Sequence, residues 1–135
     1  MTAITVPATT ARDSFLRFAL RLDAVITGAM GIVAAAIAPQ LSSLSGTTTS
    51  TEYALSAFFV VYGLTVFGLS LLPSVRRAGV VVVIGNVVYA ALAVIVVLAG
   101  VWPLTTTGIV LTLGSGVYTL VMADLQYLGL RRMRA

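Results

Sequence analysis

Residues 79–101 decide the fold: they read GVVVVIGNVVYAALAVIVVLAGV and contain no charged residue. At about 1.5 Å per residue, a helix of this length crosses the roughly 30 Å hydrocarbon core of a bilayer. Valine and isoleucine favour strands in water, but an open strand in lipid leaves its backbone groups unpaired at several kcal/mol each. No run shows the alternation of a barrel strand either. The stretch therefore predicts a transmembrane helix.

Three further apolar runs accompany this one in a chain of 135 residues that is 59% hydrophobic and 9% charged, whereas soluble domains carry roughly a quarter charged residues. The first run ends at Pro39, the second ends at Pro73, and Pro103 opens the last. We predict an all-α polytopic membrane protein, a bundle of four transmembrane helices within a domain of residues 12–135. The predicted spans lie at about 19–38, 53–72, 79–101 and 104–128.

The region before the first span is predicted to have two parts. Residues 1–11 are polar and are expected to form a disordered cytoplasmic tail. In residues 12–22, Asp13, Arg17 and Arg21 recur at four-residue spacing and share one helical face, which is typical of an amphipathic interfacial segment. A secretory signal cleaved near residues 36–38 is the alternative interpretation. The acids in this region favour the uncut chain.

The arginines set the predicted orientation. The net charge of +4 would suggest nucleic acid in a soluble protein, but in so apolar a chain position matters more than the sum, and no nucleic-acid partner is predicted. With four spans, every arginine falls on the side of both termini, and the positive-inside rule makes that side cytoplasmic. We expect a multi-pass cell-membrane protein with both termini cytoplasmic. Its cytoplasmic interface would comprise Arg12, Arg17, Arg21, Arg76, Arg77, Arg131, Arg132 and Arg134.

The composition excludes several kinds of catalytic and metal site. The chain has no cysteine, no histidine and, read along the sequence, no lysine. These absences exclude thiolate or imidazole metal sites, bis-histidine haem, a cysteine nucleophile and a lysine Schiff base. We therefore predict no catalytic residue, cofactor or metal, and a protein that is not an enzyme. A lipid-modifying enzyme is a distant alternative, because only an aspartate could activate a hydroxyl here.

Polar side chains inside the apolar spans mark a candidate site. A charge at a helix centre costs about 2.5–3.5 kcal/mol on insertion scales, so each one needs partners. Asp23 lies just inside the first span and Thr27 lies one turn further on the same face. Asn86 and Asp124 fall at a similar depth in the third and fourth spans, given the helical rise. We predict that these four residues form an intramembrane polar cluster.

Two roles for this cluster are open. In the structural role, Asp124 pairs with Arg17 or Arg21, and Asp23 pairs with a hydroxyl, an amide or another arginine, as intramembrane charges usually do. In the functional role, a protonatable carboxylate serves a small transporter, or the cluster binds a lipid headgroup.

Small residues recur along three spans and predict close helix packing, because small side chains let helix backbones approach in lipid. A stripe left uncovered by the bundle would be a docking face for another protein. The stripes comprise Ala24, Gly28, Gly31 and Ala35, then Ser56, Gly63 and Ser70, and finally Gly108, Thr112 and Gly116.

Two segments carry a resemblance to known proteins. LRLDAVITGAMG at 20–31 and ADLQYLGLRR at 123–132, with Gly85 and Asn86, resemble a group of small, generally uncharacterised four-helix membrane proteins of actinobacteria. The resemblance implies the same fold over most of the chain and brings no activity. In size, span number and an acid in span one, the chain also resembles small multidrug-resistance transporters. It departs from them because Asp23 lies nearer the interface and an aromatic-rich lining is missing.

Two function classes follow from these patterns. The first is a non-catalytic accessory or structural subunit that packs against a larger membrane complex, for example a transporter, since loops are short and small-residue faces are abundant. The second is a small proton-coupled transporter, expected to be dimeric, that uses Asp23 or Asp124. The predicted partners are membrane lipids and either a membrane protein or further copies of the chain.

Overall fold

The computed structural model describes residues 8–134, with side chains from 12 to 133, and over this range it holds five helices and no strand. The predicted all-α fold is therefore confirmed. The helices are α1 (Ala8–Ala36), α2 (Ala38–Ser45), α3 (Thr49–Leu69), α4 (Arg76–Ala99) and α5 (Thr106–Arg134). Of the predicted tail at 1–11, residues 1–7 lie outside the described residues, and Ala8 already begins α1.

Four of these helices are long and apolar enough to cross a membrane, as predicted for this multi-pass protein. Their bounds differ from the predicted spans by a turn or less at most ends, because local caps fix where each helix begins and ends. At α3, the Thr48 side chain accepts a hydrogen bond from the Thr51 amide, so the helix begins before residue 53. At α4, Gly100 adopts a left-handed φ of 64° and ends the helix.

Pro39, where the first span is predicted to end, belongs to a separate short helix. The first span ends at Ala36, but Pro39 lies in the first turn of the short helix α2, where its missing N–H has no partner to lose. Gly46, with φ 81°, then ends α2. This helix packs on α3 and α5 and closes part of the loop end of the bundle, where the Thr105 amide donates to the Ser45 carbonyl at 3.0 Å.

Small residues form the closest helix contacts, as the stripes predicted. α1 packs along α3, and a Cβ built on Gly63 would lie 2.9 Å from the Gly28 Cα and 2.7 Å from the Ala24 carbonyl oxygen. α4 packs along α5, where Gly116 faces Ala90. α1 also contacts α5, but α3 and α4 barely meet. The bundle is thus two helix pairs joined along α1 and α5.

The predicted interfacial segment is the start of α1, and its polar face packs inward rather than towards headgroups. Arg17 forms an ion pair with Asp13 at 3.1 Å and donates to the carbonyls of Ser70, Leu72 and Pro73 at 2.7–2.9 Å. Ser70 is the C-cap of α3, and Leu72 and Pro73 follow it in the connection to α4. Arg17 therefore joins α1 to the α3–α4 connection.

The apolar core lies at the same arginine-bearing end. Leu16, Leu20 and Val75 are fully buried there and pack with Ala24, Val66 and Val82. This end of the bundle is closed by side-chain packing, and the loop end opens between the two helix pairs.

Candidate functional site

The Asp23 carboxylate is the centre of a buried polar cluster that joins all four long helices. Its side chain is 0% exposed. Oδ1 accepts hydrogen bonds from the hydroxyls of Thr27 and Tyr118, each at 3.0 Å. Oδ2 accepts from the Tyr62 hydroxyl at 2.7 Å, the Asn86 amide at 3.0 Å and the Gln126 amide at 2.9 Å. We call these six residues the Asp23 cluster.

The cluster is saturated with neutral donors. A carboxylate offers about four lone-pair sites, and Asp23 receives five side-chain donors. The second N–H of Asn86 donates to the Gln126 carbonyl oxygen at 3.0 Å, which fixes both amides. Among the described residues no arginine pairs with Asp23. The predicted pairing of Asp23 with hydroxyls and amides is confirmed, and this arrangement favours a structural role for the carboxylate.

The structure brings together three of the four predicted cluster residues, namely Asp23, Thr27 and Asn86. Asp124 lies outside the cluster: it is exposed, and no hydrogen bond or ion pair joins it to another described residue. Its expected pairing with Arg17 or Arg21 is wrong. Those arginines are occupied within the bundle, by Asp13 and by the Ser70 hydroxyl at 3.2 Å.

Three cluster members were missed by sequence reasoning. Gln126 follows Asp124 by two residues, which turns it about 200° around the helix and into the bundle. Tyr62 and Tyr118 lie within the spans, away from both interfaces where tyrosines usually anchor. A hydroxyl at that depth needs a hydrogen-bond partner, and this signal could have identified both tyrosines.

A cleft of about 580 Å³ lies beside the cluster, between the α1–α3 pair and the α4–α5 pair. Aromatic side chains from three helices line it: Phe58, Phe59, Tyr62, Tyr89 and Tyr118. The Phe59 and Tyr89 rings approach to 6.1 Å between centroids at a tilt of 60°, the edge-to-face range. The expectation that an aromatic-rich lining is missing is therefore wrong.

The polar groups that line the cleft already have partners. The Tyr89 and Ser115 hydroxyls lie 2.9 Å apart, and the Thr119 hydroxyl donates to the Gly116 carbonyl at 2.8 Å. Thr27, Tyr62, Asn86 and Tyr118 bind Asp23 from the cluster side. With these groups satisfied, the surface that the cleft offers to a molecule is largely apolar.

Two glycines leave the cleft open. A Cβ built on Gly85 or on Gly114 would meet no atom within 4 Å, and both residues line the cleft. Gly68 is equally unobstructed but does not line it.

The predicted basic interface divides into two sets. Arg17 and Arg21 bind within the bundle, and the Arg132 guanidinium lies 4.2 Å from the centre of the Phe15 ring, a cation–π distance. The Arg134 side chain lies outside the described residues. The other described arginines are exposed and have no hydrogen bond, ion pair or cation–π contact with a described residue: Arg12, Arg76, Arg77 and Arg131.

The fold and the cleft define a multi-pass helical membrane protein with an intramembrane cavity. No protein-family model, curated protein or solved structure matches the chain.

Proposed function

We propose that this protein binds a neutral, lipophilic small molecule in the cleft between its two helix pairs. The observation that carries the proposal is the cleft itself: about 580 Å³, lined by five aromatic side chains, with its polar groups already bound to one another. Sites for small molecules usually measure about 300–1,000 Å³ and combine apolar walls with few polar groups.

The lining selects the chemistry of the ligand. Aromatic faces and edges pack well against flat rings and apolar chains. A charged ligand finds no free counter-charge in the cleft, because the Asp23 carboxylate is fully buried and saturated. The cluster holds the helices in register and gives the cleft a fixed wall, which keeps the site preformed.

The unobstructed glycines provide the test. Gly85→Leu and Gly114→Leu add side chains where no atom stands in the way, so both variants should fold and fill the cleft. Gly68→Leu is the matched control, since it adds the same side chain to equally open space outside the cleft. Native mass spectrometry of protein purified from its own membranes measures any small molecule retained.

The wild-type protein and Gly68→Leu should carry the same small-molecule adduct, and the two cleft variants should lose it. Equal adducts in all four proteins would place the ligand elsewhere and overturn the proposal. An adduct-free wild-type protein would also overturn it.

A second candidate function is the accessory subunit, and Asp124 favours it. This acid is exposed on α5 between the exposed residues Val121 and Leu128, with no partner among the described residues. Carboxylates within apolar spans normally meet a donor or a cation. A second membrane protein that presents an arginine, lysine or hydroxyl at this depth would supply one.

The two candidates separate in the same measurement. As an accessory subunit, the wild-type protein should appear at the mass of a larger complex, and Asp124→Asn should release it while Gly85→Leu should not. A wild-type protein that is always recovered alone would reject the subunit function and leave the cleft proposal standing.

We further propose that the arginine-bearing end faces the cytoplasm and that the membrane is the cell membrane. All eight arginines belong to this end by sequence, and the positive-inside rule supports the orientation.

A further inference from the structure

Four exposed arginines, Arg12, Arg76, Arg77 and Arg131, have no hydrogen-bond or ion-pair partner among the described residues, and two of them line one groove. Arg17 and Arg21 hold the end of α3, and Arg132 lies over Phe15. Arg76 and Arg131 are exposed, and no hydrogen bond or ion pair joins either to the other described residues. These two come from different helices, α4 and α5, and line the same groove.

The groove has a polarity gradient along its length. It measures about 260 Å³ and is lined by Arg76, Val80, Val83, Tyr127, Leu130 and Arg131. Arg76 is the first residue of α4, so Val80 and Val83 lie about 6 and 10 Å further along the helix, towards the middle of the span. One end of the groove therefore carries two guanidinium groups, and the part that runs into the membrane is lined by Val80, Val83 and the ring of Tyr127.

We infer that this groove binds an anionic phospholipid, with the phosphate between Arg76 and Arg131 and an acyl chain along Val80 and Val83. Guanidinium groups bind phosphate oxygens through paired, charge-assisted hydrogen bonds. Basic pockets between transmembrane helices at the membrane surface are suited to phospholipid headgroups. The occupant is a lipid rather than free phosphate because the apolar walls continue inward from the charges. This site is separate from the cleft and does not depend on what the cleft binds.

The test compares two double variants that remove the same charge from the same end of the protein. Arg76→Gln with Arg131→Gln empties the groove of its cations. Arg12→Gln with Arg77→Gln is the matched control, because both residues are exposed and neither lines the groove. Each protein is titrated in uncharged detergent with phosphatidylglycerol and with phosphatidylcholine of the same chains, and native mass spectrometry gives the bound fraction.

The wild-type protein and the control should bind phosphatidylglycerol more tightly than phosphatidylcholine, and the groove variant should bind phosphatidylglycerol about tenfold more weakly than the control, the loss expected for charge-assisted contacts. A third variant, Arg76→Lys with Arg131→Lys, keeps the charge and loses the paired geometry, so an intermediate affinity is expected.

Three results would each overturn the assignment. Equal weakening in the groove and control variants would mean diffuse electrostatic attraction. Equal affinity of the wild-type protein for both lipids would mean that the phosphate charge is not recognised. Displacement of phosphatidylglycerol by equimolar inorganic phosphate would mean an anion site without lipid recognition. Helical circular dichroism identical to that of the wild-type protein shows that the exposed substitutions leave the fold intact.

Discussion

At the scale of single residues, the contrast between the two intramembrane acids is the sharpest feature. Asp23 accepts five side-chain hydrogen bonds and is fully buried. In Asp23→Asn, one oxygen becomes an NH2 group that faces donors, so at least one buried donor loses its acceptor. We expect the free energy of unfolding in detergent to fall by about 2 kcal/mol, the cost of an unsatisfied buried group.

Asp124→Asn is the control for that measurement. Asp124 is exposed and has no partner among the described residues, so its replacement in the isolated protein should change the free energy of unfolding by less than about 0.5 kcal/mol. If both variants unfolded like the wild-type protein, the five donors around Asp23 would add nothing to stability, and a structural role for this carboxylate would be wrong.

At the scale of helices, the α1–α3 contact depends on glycine. A Cβ on Gly63 would lie 2.7–3.0 Å from backbone atoms of Ala24 and Gly28, and backbone cannot turn aside as a flexible side chain can. Gly63→Ala should therefore lower the free energy of unfolding by about 1–3 kcal/mol, the usual cost of overpacking. Gly68→Ala, on the same helix in open space, should be neutral or stabilising, because alanine is the better helix former. Thermal unfolding of both variants in one detergent would reveal the difference, and equal stability would contradict the proposed close approach.

Some features of the helices could be predicted from the sequence, and others could not. Length and hydropathy predict four spans correctly, and the helical rise places Asp23, Thr27 and Asn86 in one layer. The rotation of α5 about its axis was beyond prediction, because apolar residues surround it on every side and no polar face marks the outside. The helical rise gives only the depth of a residue, so Asp124 is predicted to join the cluster, although Gln126 is the residue that turns inward.

The cleft was beyond sequence prediction for a related reason. Its walls come from residues that are far apart in sequence, such as Phe59 on α3 and Tyr89 on α4. Each of them alone resembles an ordinary lipid-facing aromatic residue. Only the packing of the two helix pairs brings them to one surface.

At the scale of the whole molecule, the two ends differ in charge and in packing. Which of the two ends faces the cytoplasm can be tested. The chain has no cysteine, so a single introduced cysteine reports on one position alone. Ser50 lies at the loop end and Ser74 at the arginine-bearing end, and both are exposed. In intact cells, a membrane-impermeant maleimide should label Ser50→Cys, whereas Ser74→Cys should react only after the cells are opened.

The reverse labelling would refute the proposal that the arginine-bearing end faces the cytoplasm. It would also change the leaflet that each binding site faces. The groove of Arg76 and Arg131 would then meet the outer leaflet. The closed apolar core around Leu16 and Leu20 lies at the arginine-bearing end, and the cleft lies on the loop-end side of the Asp23 cluster. With the predicted labelling, a lipophilic ligand would enter the cleft from the outer half of the bilayer, while the anionic lipid would bind at the inner surface.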